Sequence, residues 1–162
     1  MNRRTFFRAL TGLSLGGLSF GLAPLLAGAA EPPRKPSPLV VVYKSESCGC
    51  CKQWVQHLLQ AGFVVQAHDV DNLGPIKERV GVPAGKGSCH TAEVGGYFLE
   101  GHVPADDIKR LLREHPAAKG LTVPGMPMGS PGMEVPSGQV DAYDVLLVRK
   151  DGSTSVYSRH GS

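Results

Sequence analysis

The sequence predicts an α/β fold, a mixed sheet flanked by helices, and three observations carry that expectation. Apolar runs of strand length alternate with amphipathic stretches at helical spacing. Glycine and proline punctuate the boundaries between them. A cluster of thiols, Cys48, Cys50 and Cys51, falls where the first apolar run gives way to the first amphipathic one.

The order of elements begins only after a leader. Asn2-Arg3-Arg4-Thr5-Phe6-Phe7-Arg8 resembles a twin-arginine export signal, and an apolar, glycine-rich run follows from Ala9 to Leu26. Ala27-Gly28-Ala29 then offers a small-x-small cleavage site. A membrane anchor is the competing reading, but Gly16, Gly17, Gly21 and Pro24 weaken the run as a spanning helix. Residues 1–29 are therefore read as a signal peptide, 30–38 as a proline-rich linker and 39–160 as one domain, located in the periplasm. Removing the leader takes Arg3, Arg4 and Arg8 from the 17 basic residues, leaving 14 against 14 acidic ones. The mature chain is then neutral, so its composition predicts no basic face for nucleic acid.

Leu39-Val40-Val41-Val42-Tyr43 reads as a buried strand. After the thiols, Trp54, Val55, Leu58 and Leu59 share one face of a helix, opposite Gln53, Gln56, His57 and Gln60, and Gly62 is placed to end it. His57 is expected to be solvated. Phe63 to Val70 makes a second strand, with His68 on its surface. Pro75 starts a short helix that Gly81 stops. Thr91–Val94 and Tyr97–Leu99 are strands joined by Gly95-Gly96, a hairpin turn. Pro104 opens a helix with Asp106 and Asp107 in its first turn and Ile108, Leu111 and Leu112 inward. The stretch from Gly120 to Glu134 has too little periodicity to predict an element and reads as a long Gly/Pro/Met-rich loop. Tyr143–Arg149 and Thr154–Tyr157, joined through Asp151-Gly152, predict an added C-terminal β-hairpin. His160 is expected to be a frayed surface residue.

The order β-α-β-α-β-β-α, with Cys48-x-x-Cys51 after the first strand, is that of the thioredoxin-like fold. It places the thiols at a helix N-terminus, where free N–H groups and the macrodipole favour thiolate. A third strand antiparallel to the first begins at the same sheet edge, so Cys89 and His90 should face the thiol turn. The returning fourth strand should bring His102 there too.

All four cysteines lie in the mature part, and adjacent Cys50 and Cys51 cannot easily bridge each other. Three chemistries compete. A Cys48/Cys51 pair could cycle as a thiol–disulfide oxidoreductase, though Cys50 and Cys89 would then invite mixed disulfides. The cysteines could hold tetrahedral zinc, which adjacent residues chelate awkwardly. Or the thiolates could bind copper, bridging several ions, with histidine and methionine completing a soft site. Every methionine but the initiator, Met126, Met128 and Met133, falls within eight residues of the irregular loop. These three, with Cys48, Cys50, Cys51, Cys89, His90 and His102, are the candidate metal ligands; nothing decides between ligand and salt bridge for Glu134.

The motifs Cys48-Gly49-Cys50-Cys51-Lys52, Ser88-Cys89-His90-Thr91-Ala92, Glu100-Gly101-His102-Val103-Pro104 and Gly120-Leu121-x-Val123-Pro124-Gly125-Met126-Pro127, with Gly129 to Glu134, carry a resemblance. In this order they resemble a family of small exported metal-binding proteins, long catalogued as a domain of unknown function, that includes a bacterial copper-resistance protein, CopG. The resemblance covers nearly the whole mature chain. It implies a thioredoxin-like fold, a cysteine-bridged site for more than one copper ion, and periplasmic copper handling with interconversion of Cu(I) and Cu(II). It also implies that Cys48, Cys50, Cys51 and Cys89 supply the bridging sulfurs. The expected partners are copper ions, other periplasmic copper-resistance proteins and an electron donor or acceptor. A thiol–disulfide oxidoreductase, and a copper carrier or buffer without redox turnover, stand as alternatives.

Overall fold

The computed structural model describes residues 37–161. The leader and most of the proline-rich linker lie outside the described residues. Among those described, no helix is long and apolar enough to cross a membrane.

The elements run β1 (Leu39–Lys44), α1 (Gly49–Gln60), β2 (Val64–Asp69), α2 (Gly74–Val80), β3 (His90–Val94), β4 (Tyr97–Glu100), α3 (Ala105–Glu114), β5 (Ala118–Thr122), β6 (Tyr143–Arg149) and β7 (Thr154–His160). One seven-stranded sheet has the order β2-β1-β3-β4-β5-β6-β7. It is mixed: β1 runs parallel to β2 and β4 to β5, while the other neighbours are antiparallel.

Side-chain alternation divides the sheet into two faces. On one, Val40 and Val42 of β1, Ala92 and Val94 of β3 and Leu99 of β4 pack with Trp54 and Leu58 of α1 and Ile108 and Leu111 of α3 in a single core. The Trp54 indole N–H donates to the Val103 carbonyl at 2.9 Å, tying α1 to the segment that leads into α3. On the other face sits α2, whose Lys77 and Arg79 reach Thr91 and Glu93, the residues of β3 between those in the core.

Helix ends follow from their sequences. Gly81 stops α2 in the left-handed region at φ 82°. Pro104 stands at the N-cap of α3 in an extended conformation and offers no side-chain acceptor. His57 supplies one instead: its Nε2 accepts the Ala105 N–H at 3.0 Å, so this ring is a cap rather than a solvated side chain. Burial lowers the His57 pKa, consistent with a neutral acceptor.

Two other expectations are corrected. Residues 118–122 form a strand, β5, whose last three residues open the Gly120–Glu134 stretch, where the sequence predicts no element. Gly120 lies so close to β4 that a Cβ there would fall 2.0 Å from the Phe98 carbonyl oxygen, so the residue that disguises the strand is the one that permits it. His160 is not frayed. Its Nε2 meets the buried Asp107 carboxylate at 2.7 Å, and its ring stacks on Tyr143 with centroids 5.1 Å apart. His68 is exposed as expected, stacked on Tyr43 at 5.6 Å.

Candidate metal centre

The end of β1 pairs with the start of β3, Lys44 opposite His90, and the start of β3 pairs with the end of β4, Thr91 opposite Glu100. Three chain segments thus reach one sheet edge. The turn after β1 carries Cys48, Cys50 and Cys51; the approach to β3 carries Cys89 and His90; the turn after β4 carries His102.

Cys48 is the N-cap of α1, where its Sγ accepts the Cys51 N–H at 3.3 Å. Cys51 is buried, while Cys48 and Cys50 are half-buried. Cys48 and Cys51 are joined as a disulfide, leaving Cys50 and Cys89 as free thiols. Across the edge, Cys89 Sγ lies 3.8 Å from Cys50 Sγ and 3.5 Å from Cys51 Sγ, and Cys50 Sγ lies 3.5 Å from Cys48 Sγ. Two thiolates sharing a tetrahedral ion through bonds of about 2.3 Å stand about 3.8 Å apart. The Cys48–Cys50, Cys50–Cys89 and Cys51–Cys89 separations are therefore close to what shared coordination needs.

Two histidines adjoin Cys89. His90 Nδ1 is 3.4 Å and His102 Nε2 is 3.2 Å from its Sγ. His102 Nδ1 donates to the Pro131 carbonyl at 2.7 Å, which fixes the neutral tautomer and turns the Nε2 lone pair towards Cys89. An imidazole held in this way by a backbone carbonyl is arranged as metal-binding histidines are. His90 is completely buried between Trp54 and His102, with ring centroids 4.3 and 5.1 Å away. Its Nε2 is buried without a hydrogen-bond partner among the described residues, a vacancy in polar pairing that such groups rarely tolerate.

The electrostatics keep these groups neutral at rest. Burial, with the neighbouring Cys50 thiol, pushes Cys89 up to about 11. Burial, with the charges of His102 and Lys77, pushes His90 down to about 3, and burial lowers His102 as well. A cation displacing the thiol protons would meet sulfur and neutral imidazole nitrogen, soft and borderline donors that suit Cu(I). Four ligand atoms of Cys48, Cys50, Cys51 and Cys89 lie within 4.8 Å of one another, as do those of Cys89, His90 and His102. The donor set fits copper once the Cys48–Cys51 bond has been reduced, since only the thiolates are ligands.

The methionine loop meets this centre through its backbone. Pro131 holds His102, and Gly132 packs so closely on α1 that a Cβ would lie 2.7 Å from both the Cys50 oxygen and the Trp54 nitrogen. Glu134 accepts the Gly132 N–H at 2.8 Å, which gives the carboxylate a bracing task in the loop. Met126 is 53% exposed and lines a hollow of about 590 Å³ with Lys86, Tyr143 and Leu146. Met128 and Met133 are half-buried, and hydrogen bonds engage their main chain: Met128 with Asp141, Met133 with Gly129 and Ser130. The structure thus groups the cysteines and the two histidines, with Met126 on a separate surface hollow.

Sequence reasoning missed the buried group behind Cys89. Glu100 accepts from the Ser88 N–H and the Thr91 hydroxyl and pairs with Lys77. An acidic residue closing the apolar run Tyr97-Phe98-Leu99 was the available cue.

Residues 86–133 match a family described as "Protein of unknown function, DUF411", a span that includes Cys89, His90, His102 and the methionine loop. Two solved structures are similar over almost the whole described chain. One, "Copper resistance protein copG- Form 1", is 44% identical, with a TM-score of 0.74, and the match covers 79% of this chain and 100% of that one. The other, "Copper resistance protein copG- Form 2", is 44% identical, with a TM-score of 0.73, covering 76% of this chain and 98% of that one. No protein with a curated description matches.

Proposed function

On the footing that this chain belongs to the DUF411 family, with solved CopG copper-resistance proteins 44% identical to it, we propose that it binds copper in the periplasm as part of copper resistance. The observation that carries this is the convergence of four sulfurs and two imidazoles on one sheet edge. Crowded cysteines that cannot all wrap one ion can bridge several, so the site is read as polynuclear. Cys48, Cys50, Cys51 and Cys89 would supply the sulfurs, with His90 and His102 as nitrogen donors and Met126, Met128 and Met133 as further candidates. Copper would supply a one-electron couple, and the chain's residues would set its environment: soft sulfur, buried imidazole and a largely dry wall formed by Trp54.

The fold supports the same reading. The order β2-β1-β3-β4, with the thiols at the start of α1, supports a thioredoxin-like description. The antiparallel strands β6 and β7 extend it as a C-terminal hairpin. The twin-arginine-like leader supports export.

A second reading has its own observation in favour. The disulfide between Cys48 and Cys51, with Cys48 at the N-cap, is the arrangement of a thiol–disulfide oxidoreductase. One experiment separates the two. Reduced mature protein is incubated with Cu(I), desalted, and assayed for copper and for alkylatable thiols; in parallel, metal-free protein is assayed for reduction of a model disulfide. Copper above one ion per chain with protected thiols supports the copper site. Metal-free protein that turns over the disulfide, and that retains no copper, favours the oxidoreductase. Cuprous oxidation faster with the protein than in buffer distinguishes redox turnover from a carrier or buffer.

A further inference from the structure

We propose that Glu100 is a positioning residue that pins Cys89 and His90 into the thiolate centre from the opposite face of the sheet. This rests on the reading that those two residues belong to a copper site.

The two halves of the centre are held differently. Cys48, Cys50 and Cys51 ride on the first turn of a helix, whose backbone fixes them. Cys89 ends an irregular segment that contains Gly85 and Gly87 and has no helix or strand of its own. A loop of that composition holds a sulfur to within the few tenths of an ångström that coordination needs only if something else ties it down.

Glu100 provides the tie. It is completely buried. Its Oε1 accepts the Ser88 N–H at 2.6 Å, and its Oε2 accepts the Thr91 hydroxyl at 2.7 Å. One carboxylate therefore grips the residue before Cys89 and the residue after His90. Lys77 reaches from α2 to pair with the same Oε1 and donates to Thr91 Oγ1 at 3.0 Å, closing a triangle behind the strands. From Glu100 the chain turns through Gly101, at φ 71°, whose N–H donates to the His90 carbonyl at 3.0 Å. His102 follows at once, so the same anchor also sets where the second imidazole begins.

The alternative is a buried ion pair with a purely structural task. Such pairs are poor stabilisers: desolvation offsets much of their attraction, and apolar residues of similar volume often do as well. What a fully hydrogen-bonded carboxylate adds is direction, because each partner is held at a fixed angle and distance. Here all of its neutral donors belong to residues flanking the predicted ligands.

The test uses the full mature chain, reduced and metal-free, in three variants: Glu100→Gln, Thr91→Val and Asp69→Asn. Thr91→Val removes the Thr91–Glu100 and Lys77–Thr91 hydrogen bonds and keeps the Lys77–Glu100 ion pair. Asp69→Asn is the control, because it breaks the Lys44–Asp69 pair at the same sheet edge without touching Ser88, Thr91 or Glu100. The first readout is the rate of iodoacetamide labelling of Cys89 relative to Cys50, resolved by peptide mass spectrometry. The second is Cu(I) affinity by competition with bicinchoninate, and the third is the melting temperature.

The expected result is a raised Cys89-to-Cys50 labelling ratio in Glu100→Gln and, less strongly, in Thr91→Val, with no change in Asp69→Asn. Copper affinity should fall about 10–100-fold in Glu100→Gln, the usual penalty for losing a partner that orients a ligand. Equal labelling ratios in Glu100→Gln and Asp69→Asn would overturn the proposal, and so would an unchanged ratio in Thr91→Val should Glu100→Gln fail to fold. Because labelling needs no copper, the positioning role stands or falls on that ratio even if the wild-type chain retains none; lack of copper would count against the copper site alone.

Discussion

Replacing Cys50 with serine separates metal binding from folding more cleanly than any other change at the centre. Cys51 is wholly buried against the core and Cys48 caps α1, so substitution at either perturbs the helix as well as the site. Cys50 does neither. It is half-buried, and its Sγ stands 3.5 Å from Cys48 Sγ and 3.8 Å from Cys89 Sγ, between the helix-borne sulfurs and the loop-borne one. Exchanging sulfur for oxygen at a half-buried position should cost less than about 1 kcal/mol of stability. On the proposed function, a hard neutral hydroxyl would replace a soft thiolate that bridges copper. The affinity loss should exceed the roughly 100-fold typical of a supporting partner, or about 2.7 kcal/mol. The assay is copper per chain after reduction, Cu(I) loading and desalting, alongside a thermal melt. Cys50→Ser should melt within a few degrees of wild type and retain at most one copper per chain. Copper content equal to wild type would refute the idea that Cys50 bridges.

Three other outcomes follow from the same geometry. Protein kept oxidised, with Cys48–Cys51 intact, should take up less Cu(I) than reduced protein, and equal uptake would remove those two sulfurs from the ligand set. Gly132→Ala adds a Cβ 2.7 Å from the Cys50 oxygen at a residue with φ 89°, so it should destabilise the chain by about 1–3 kcal/mol and speed release of bound copper; a melt and a chelator-release trace check both. The third concerns pH. His57 has a folded pKa below its ordinary value because of burial, so the unfolded chain binds the extra proton first. Its contribution is complete above about pH 6.5 and is lost as pH falls, by at most about 1.4 kcal/mol per pH unit. His57→Gln, which keeps an acceptor for Ala105 but does not titrate, should lessen the loss of stability between about pH 6.5 and 5 in denaturant melts, leaving the part due to His90 and His102; an unchanged slope would contradict the capping role.

The half of the site that depends on topology was legible in the sequence, because strand direction alone dictates it. Once β3 is antiparallel to β1, Cys89 and His90 must begin where the thiol turn ends, and β4 must bring His102 back. What escaped was whatever depends on a partner distant in sequence. His57 lies on the polar face of α1, and only the fold reveals that Pro104 leaves the α3 N-terminus in need of an acceptor. His160 sits near the chain end, yet Asp107 and Tyr143 hold it. Strand β5 was hidden because Gly120 obeys the backbone of Phe98 rather than strand propensity. Glu100 and Lys77 stand on different elements, and neither looks unusual until the sheet places Thr91 between them.

X-ray absorption at the copper K-edge, on reduced protein loaded with Cu(I), addresses the central claim most directly. Coordination dominated by sulfur, with a copper–copper shell that weakens in Cys50→Ser, is the predicted spectrum. Coordination by oxygen and nitrogen alone, identical in Cys50→Ser and wild type, would mean that the sulfurs gathered around Cys89 serve some other chemistry.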